Sequence, residues 1–310
     1  MKLFSLVKKA VNLTVLKYSA KNKFIYPNLY LFNLNKTQLK SVKKILFFFD
    51  SDEYMHLGDH LFFLPLIQSF INSGFDVYVA PTKIMSPLFK ILKFKVLNED
   101  INFKDFDLIV SRIEMVNIVN KHKALLVNVS KNLSLPICDQ LIHDFSKLFL
   151  LNNNYNVDFL SLKDDSILNK FHLDSSKKII LFSLKMNTAS YLNNNKKLSK
   201  LVGLLNKYGK DSSYQIVQVG GADESINPNL NFPYVDLGGK TSVLDIFNLV
   251  NNEHVFCYIG FDAFVMHVFS LLKKPSFVVF RGRISKRQSK MLKKFHVNLF
   301  EQDNYVTLLN

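Results

Sequence analysis

Residues 44–80 read KILFFFDSDEYMHLGDHLFFLPLIQSFINSGFDVYVA. They open with a continuous apolar run, 44–50, of the kind that a strand covered on both faces requires. A polar loop follows, and then an apolar helix, HLFFLPLIQSFINSG, that ends at Gly74. FDVYVA at 75–80 reads as the next strand. Strand, helix and strand in succession predict a parallel, doubly wound sheet. Working outward, strands are expected at 94–97, 106–110 and 124–129. The stretch 139–172 reads as helix or loop, with a turn at the Asn-rich LNNNYN. The pattern then restarts. Strands are expected at 178–184, 215–220, 255–259, 276–280 and 297–300, and helices at about 196–209, 242–252, 262–273 and 284–294. Tyr26–Leu34 is aromatic and irregular and receives no element.

The expected architecture is therefore α/β, with two Rossmann-like doubly wound domains. Its expected divisions are a basic N-terminal extension at 1–43, an N-terminal domain at 44–172 and a C-terminal domain at 173–310. In such sheets, ligands sit beyond the C-terminal strand ends. A length of 310 residues with 48% hydrophobic and 21% charged residues excludes a disordered chain and suits two cores. Cys138 and Cys257 are too few for a disulfide framework or a zinc site, and read as buried small hydrophobes in a reducing compartment. The apolar runs, such as Leu61–Ile67, are too short to span a membrane, and no cleavable leader is evident.

The net charge is +15. Residues 1–44 hold ten Lys and no acidic residue, and 2–15 can form a basic amphipathic helix. Such a helix can lie on an anionic membrane or dock on its own protein. A second basic cluster at 273–294 contains Arg281, Arg283 and Arg287, whose planar forks suit phosphate. No basic–aromatic motif accompanies the charge, so nucleic acid is not the expected partner.

Four segments fall at expected strand ends. Gly58-Asp59 opens the first helix, and Asp59 is either a cap or a carboxylate base. Asp50, Asp52, Glu53 and His56 share its loop and compete for the role of base; they could also be taken as a metal cluster, but no ligand spacing is recognisable. Gly220-Gly221, within VGGADE at 219–224, would let a nucleotide pass close to the backbone, with Glu224 nearby to accept from ribose hydroxyls. LGGKTS at 237–242 places Thr241 or Ser242 at a helix start. IGFDAFVMH at 259–267 ends a strand and begins a helix at about Asp262. Backbone N–H groups there could hold a diphosphate, with His267 following on the same helix. Neither a dinucleotide fingerprint nor a P-loop is present.

In order and spacing these segments resemble glycosyltransferase family 9, the lipopolysaccharide heptosyltransferase-like enzymes. The resemblance rests on GD–HLFFLPLI, VGGADE, LGGKTSVLDIFNLV and IGFDAFVMHVFSLLKKPSFVVF, and covers about 44–90 and 178–283. It implies a GT-B fold and an inverting, metal-independent transfer with no cofactor. The donor would be a nucleotide diphosphate sugar, ADP-linked in this family. The acceptor would be lipopolysaccharide, lipooligosaccharide or another anionic glycolipid or glycan. It implies Asp59 as base. Donor contacts would come from Lys196 (or Lys197), Glu224, Thr241, Asp262 and His267. Beside the resemblance, Gly220, Gly221 and Ala263 are read as further donor contacts, and the leaving diphosphate would be held by the N–H groups of the 262–264 turn, by His267, and by Lys196 or Arg281/Arg283. No residue is expected to bind metal. Location would be cytoplasmic, peripheral at the inner face of the cytoplasmic membrane. The family's Asp-Thr-Gly is Asp262-Ala263-Phe264 here. That departure also supports an alternative, a catalytically degenerate GT-B relative that binds a nucleotide, glycan or membrane.

Overall fold

The structure is a computed structural model. It describes residues 23–26, 29–50, 55–119, 121–128, 135–152, 156–184, 195–221, 230–279 and 305–309. These fall into two units. The first holds the described residues up to 128 and those at 140–157, and the second those at 135–139 and from 158 onward.

Unit 1 contains strands β1 (Lys23–Tyr26), β2 (Leu29–Phe32), β3 (Lys44–Phe48), β4 (Asp76–Ala80), β5 (Lys95–Val96), β6 (Leu108–Arg112) and β7 (Ala124–Val127). Their spatial order is β1-β2-β7-β6-β3-β4-β5. From β7 to β5 every pairing is parallel. Ile45, Leu46 and Phe47 of β3 are fully buried, as a strand covered on both faces requires. Helix α1 (Lys36–Leu39) precedes β3, and α2 (Leu57–Asn72) links β3 to β4. Leu61–Ile67 of α2 is buried throughout, which explains its lack of a polar stripe. Helices α3 (Ser86–Ile91), α4 (Val116–Val119) and most of α5 (Ile137–Ser146) complete the unit.

Two features differ from the sequence expectation. Residues 23–39 are not an appendage. β1 and β2 form an antiparallel pair, and β2 adds antiparallel to β7, so this segment extends the sheet. Leu29, Leu31 and Phe32 are buried there. β2 is only four residues, LYLF, with three of them buried, so no alternating pattern marked it in the sequence. The amphipathic helix expected at 2–15 lies outside the described residues.

The border between units also lies near 157/158 instead of 172/173. Residues 158–172 are anchored on helix α8 (Val243–Asn251) of unit 2. Phe159 stacks on Phe247 at 5.8 Å, and its carbonyl accepts from Asn251 Nδ2 at 3.1 Å. Lys170, at the end of α6 (Ile167–Lys170), pairs with Asp245 at 2.5 Å.

Asp245 is buried, which by itself would raise its carboxyl. The Lys170 ammonium and the Ser242 N–H and hydroxyl outweigh burial and hold it below the ordinary value of 3.8. A carboxyl depressed on folding stabilises above its unfolded value and loses that contribution as pH falls through the folded value. Lys170→Met is therefore expected to cost about 1 kcal/mol at neutral pH. In urea melts, the gap between variant and wild type should close progressively below pH 3.8. A gap that stays constant to pH 2 would show that the pair contributes nothing.

Unit 2 has strands β8 (Lys178–Ser183), β9 (Tyr214–Gln218), β10 (Val235–Asp236), β11 (Val255–Phe261), β12 (Ser276–Val279) and β13 (Val306–Leu308). They are all parallel, in the order β10-β9-β8-β11-β12-β13. Helices α7 (Asn195–Gly209), α8 and α9 (Phe264–Leu271) connect them. The sequence reading lacked β10 and β13, which are only two and three residues long. The strand expected at 297–300 and the helix at 284–294 lie outside the described residues. Both cysteines are buried thiols, and burial pushes Cys257 up to about 12, far from a reactive nucleophile.

Candidate functional site

In unit 1 the strand order reverses between β3 and β6, the place where doubly wound sheets bind ligands. The first helix after β3 begins at Leu57, so Gly58 and Asp59 lie in its first turn. Asp59 is not the cap. It is the third helical residue, and its Oδ2 accepts from the His56 N–H at 3.2 Å, satisfying a helix-end donor. The same oxygen accepts from Arg112 Nη1. Arg112 is the last residue of β6, on the other side of the reversal. Its Nε and Nη2 grip both oxygens of Glu114 at 3.1 and 3.0 Å.

The three side chains are 14–20% exposed. Burial would lower the Arg112 guanidinium, but Asp59 and Glu114 together raise it above its ordinary value. The cluster has two carboxylates and one guanidinium, for a net charge of −1. Asp59 is thus aimed by a fixed cation, with both of its hydrogen bonds on one oxygen.

The neighbouring His60 is fully buried. Its Nε2 accepts from the Thr82 N–H at 3.3 Å, so its Nδ1 carries the proton and donates to the His56 carbonyl at 3.1 Å. That ties the start of α2 to the loop after β4. Asp50 and His56 are exposed, and Asp52 and Glu53 lie outside the described residues.

Unit 2 reverses between β8 and β11. Helices α7 and α9 leave the ends of those two strands. Lys197 lies in the first turn of α7, where burial pushes its ammonium down. Asp262, beyond β11, counters this in part, and Lys200 adds to it. Lys196 is in the same turn, with its side chain outside the described residues, as are Glu224 and Arg281.

β11 runs on through Phe261, two residues beyond the expected end. Gly260 is required there by packing. A Cβ would meet the Tyr258 hydroxyl and the Ser183 carbonyl of β8, the latter at 2.5 Å. The Tyr258 hydroxyl donates to the Phe261 carbonyl at 3.0 Å and props this strand end. Helix α9 begins at Phe264 instead of Asp262. Ala263 is its N-cap, in extended backbone, and offers no side-chain acceptor. The Ala263 methyl therefore caps none of the first N–H groups of the helix. Phe264 packs against Phe247 at 6.3 Å. His267, one turn along, is buried.

The two glycine pairs come together. Gly220 and Gly239 both have positive φ, +143° and +69°, and the Gly239 N–H donates to the Gly220 carbonyl at 2.8 Å. The Gly238 N–H is held by Asp236 Oδ1 at 2.8 Å. Ser242 caps α8 in a reciprocal box with Asp245, so the cap is Ser242 and not Thr241, which is half-buried beside it. Lys274, in the Lys-Pro segment, donates to the Asn252 and Val255 carbonyls at 2.5 and 2.9 Å and so has a structural post.

Sequence reasoning missed Arg112. It is the only Arg before residue 281 and ends an apolar strand. In the strand order of a doubly wound sheet, that position lies beside the first strand, which is the signal that could have found it.

No family model and no curated protein matches the sequence. Solved structures do match. One is a glycosyl transferase family 9 protein from Veillonella parvula, at 10% identity over 86% of this chain and 85% of that one, with a TM-score of 0.59. Another is the ADP-heptose lipopolysaccharide heptosyltransferase II of E. coli, at 15% identity over 86% and 90%, with a TM-score of 0.56. A third is E. coli heptosyltransferase WaaC with ADP-2-deoxy-2-fluoro heptose, at 12% identity over 86% and 93%, with a TM-score of 0.54. At these identities the likeness is one of architecture, and it agrees with the two reversed-order, predominantly parallel sheets: the chain has an α/β GT-B fold.

Proposed function

We propose that this protein is a glycosyltransferase that moves a sugar from a nucleotide diphosphate sugar to a hydroxyl of an anionic glycolipid or glycan. The observation that carries this reading is the Asp59–Arg112 pair, which sits at the strand-order reversal of a GT-B unit. Support comes also from the donor carried by one neighbour, an ADP-linked heptose analogue.

In this reading Asp59 accepts the acceptor's hydroxyl proton on Oδ1 while the oxygen attacks the anomeric carbon. The bond from that carbon to the diphosphate oxygen breaks, and the configuration inverts. The nucleoside diphosphate leaves with the electron pair. The N–H groups at the start of α9 and the Lys197 ammonium meet the charge that develops on it, without a metal ion. Lys196, His267 and Arg281 belong to the same proposal. The paired loops at Gly220-Gly221 and Gly238-Gly239, with Thr241 and Glu224, take the nucleoside. The acceptor class favours a peripheral position on the inner face of the cytoplasmic membrane.

Thermal melting with a panel of nucleotide sugars and nucleoside diphosphates tests the donor class. ADP and ADP-sugars are expected to raise Tm in proportion to the logarithm of ligand concentration. A Tm unmoved by any ADP-, GDP-, UDP- or CDP-linked compound would overturn the reading.

A further inference from the structure

Four large apolar side chains are well exposed among the described residues, and two of them share one short element. Ile84 is 57% exposed, in the turn before α3, and Ile91 is 42% exposed, at the helix end. They are seven residues apart, and the turn before α3, closed by the Met85 and Ser86 N–H groups on the Thr82 carbonyl, runs directly into the helix, so both fall on its exposed side with exposed Pro87 between them. Met85, Leu88 and Phe89 hold the opposite side in the core. Exposed Lys83 and Lys90 flank the apolar pair, and Lys93 follows directly. Residues 77–98 contain four lysines and no acidic residue. Lys95 is occupied by Asp76 at 2.6 Å, and no ion pair among the described residues involves the other three.

We propose that this face of α3 docks on an anionic lipid bilayer, with Ile84 and Ile91 entering the interface and Lys83, Lys90 and Lys93 meeting the headgroups. The inference rests on one part of the reading above, contact with an anionic membrane, and not on the transfer chemistry. Apolar side chains ringed by lysines suit that occupant, because each lysine stem lies along the interface with its ammonium outward. A second copy of the chain would set lysine against lysine across a two-fold contact. Single-stranded nucleic acid would need stacking rings, and the exposed side of α3 offers none.

The position also serves the acceptor. The turn that carries Ile84 begins at Thr82, whose N–H is held by His60, the residue next to Asp59. A lipid-borne substrate would meet the docking face and the base on one side of unit 1, the side of the C-terminal strand ends.

The test is flotation of the full chain with phosphatidylcholine vesicles, with and without phosphatidylglycerol, at fixed ionic strength. Wild type is expected to float only with the anionic vesicles. Each lysine contributes roughly fivefold, so a K83Q/K90Q/K93Q variant should bind about 100-fold more weakly. An I84S/I91S variant should also lose binding, while keeping its attraction in low salt. Wild-type failure to bind, equal binding to neutral vesicles, or unchanged binding by both variants would overturn the inference. Salt-sensitive retention on polynucleotide with no vesicle binding would overturn it in favour of a nucleic acid. Titration with ADP on the same preparations keeps the two readings separable. It should be identical in wild type and variants if the donor reading holds, and absent in all if that reading fails.

Discussion

Asp59→Asn is expected to slow sugar transfer by about 10²–10⁴-fold, the contribution of a positioned general base. The amide keeps an oxygen that can accept from Arg112 and from the His56 N–H, so the local hydrogen bonds survive. What is lost is the capacity to take a proton. The decisive pattern is a collapse in kcat with unchanged ADP binding and unchanged Tm. Near-normal turnover with the true donor and acceptor would remove Asp59 from the role of base and leave it as part of a structural ion cluster.

Arg112→Met is expected to have the largest effect on stability. It strands Asp59 and Glu114, two partly buried carboxylates, beside each other without their shared cation. Removing one partner of a buried ion pair costs about 3–5 kcal/mol, and the 14% exposure of Arg112 places this case near the lower end. Urea titration would read the loss directly. Adding Glu114→Gln should restore part of it, because one stranded charge is gone, but should not restore transfer. If the double variant is no more stable than Arg112→Met alone, the two carboxylates are not coupled through the guanidinium.

How much of this was legible from residues alone follows from what each segment depends on. The central parallel strands were readable because burial on both faces demands a continuous apolar run, as in Ile45–Phe49 and Ile179–Leu181. Helix α2 was readable for a similar reason, its length and its Gly74 stop. The ends of elements were less so. β11 runs past Gly260 because Tyr258 and Ser183 need the missing side chain, a contact across strands that no local window contains. The border between units moved because Phe159 and Lys170 found partners on α8, about 80 residues away. Asp59 was singled out as a candidate by its place after the first strand. Arg112 was not, because its meaning depends on strand order. The two glycine pairs were read as separate loops, and only the bond from Gly239 to Gly220 makes them one surface.

The hairpin of β1 and β2 has a consequence for handling the molecule. It sheathes β7, whose four residues are all at most 1% exposed. Trimming the chain to its first Rossmann strand would strip that sheath and bare a row of backbone amides and carbonyls on an apolar ribbon. Such an unpaired margin invites neighbouring molecules to zip onto it. Colloidal behaviour thus depends on a segment remote from the chemistry, and shortened preparations should precipitate while the full-length chain stays dispersed.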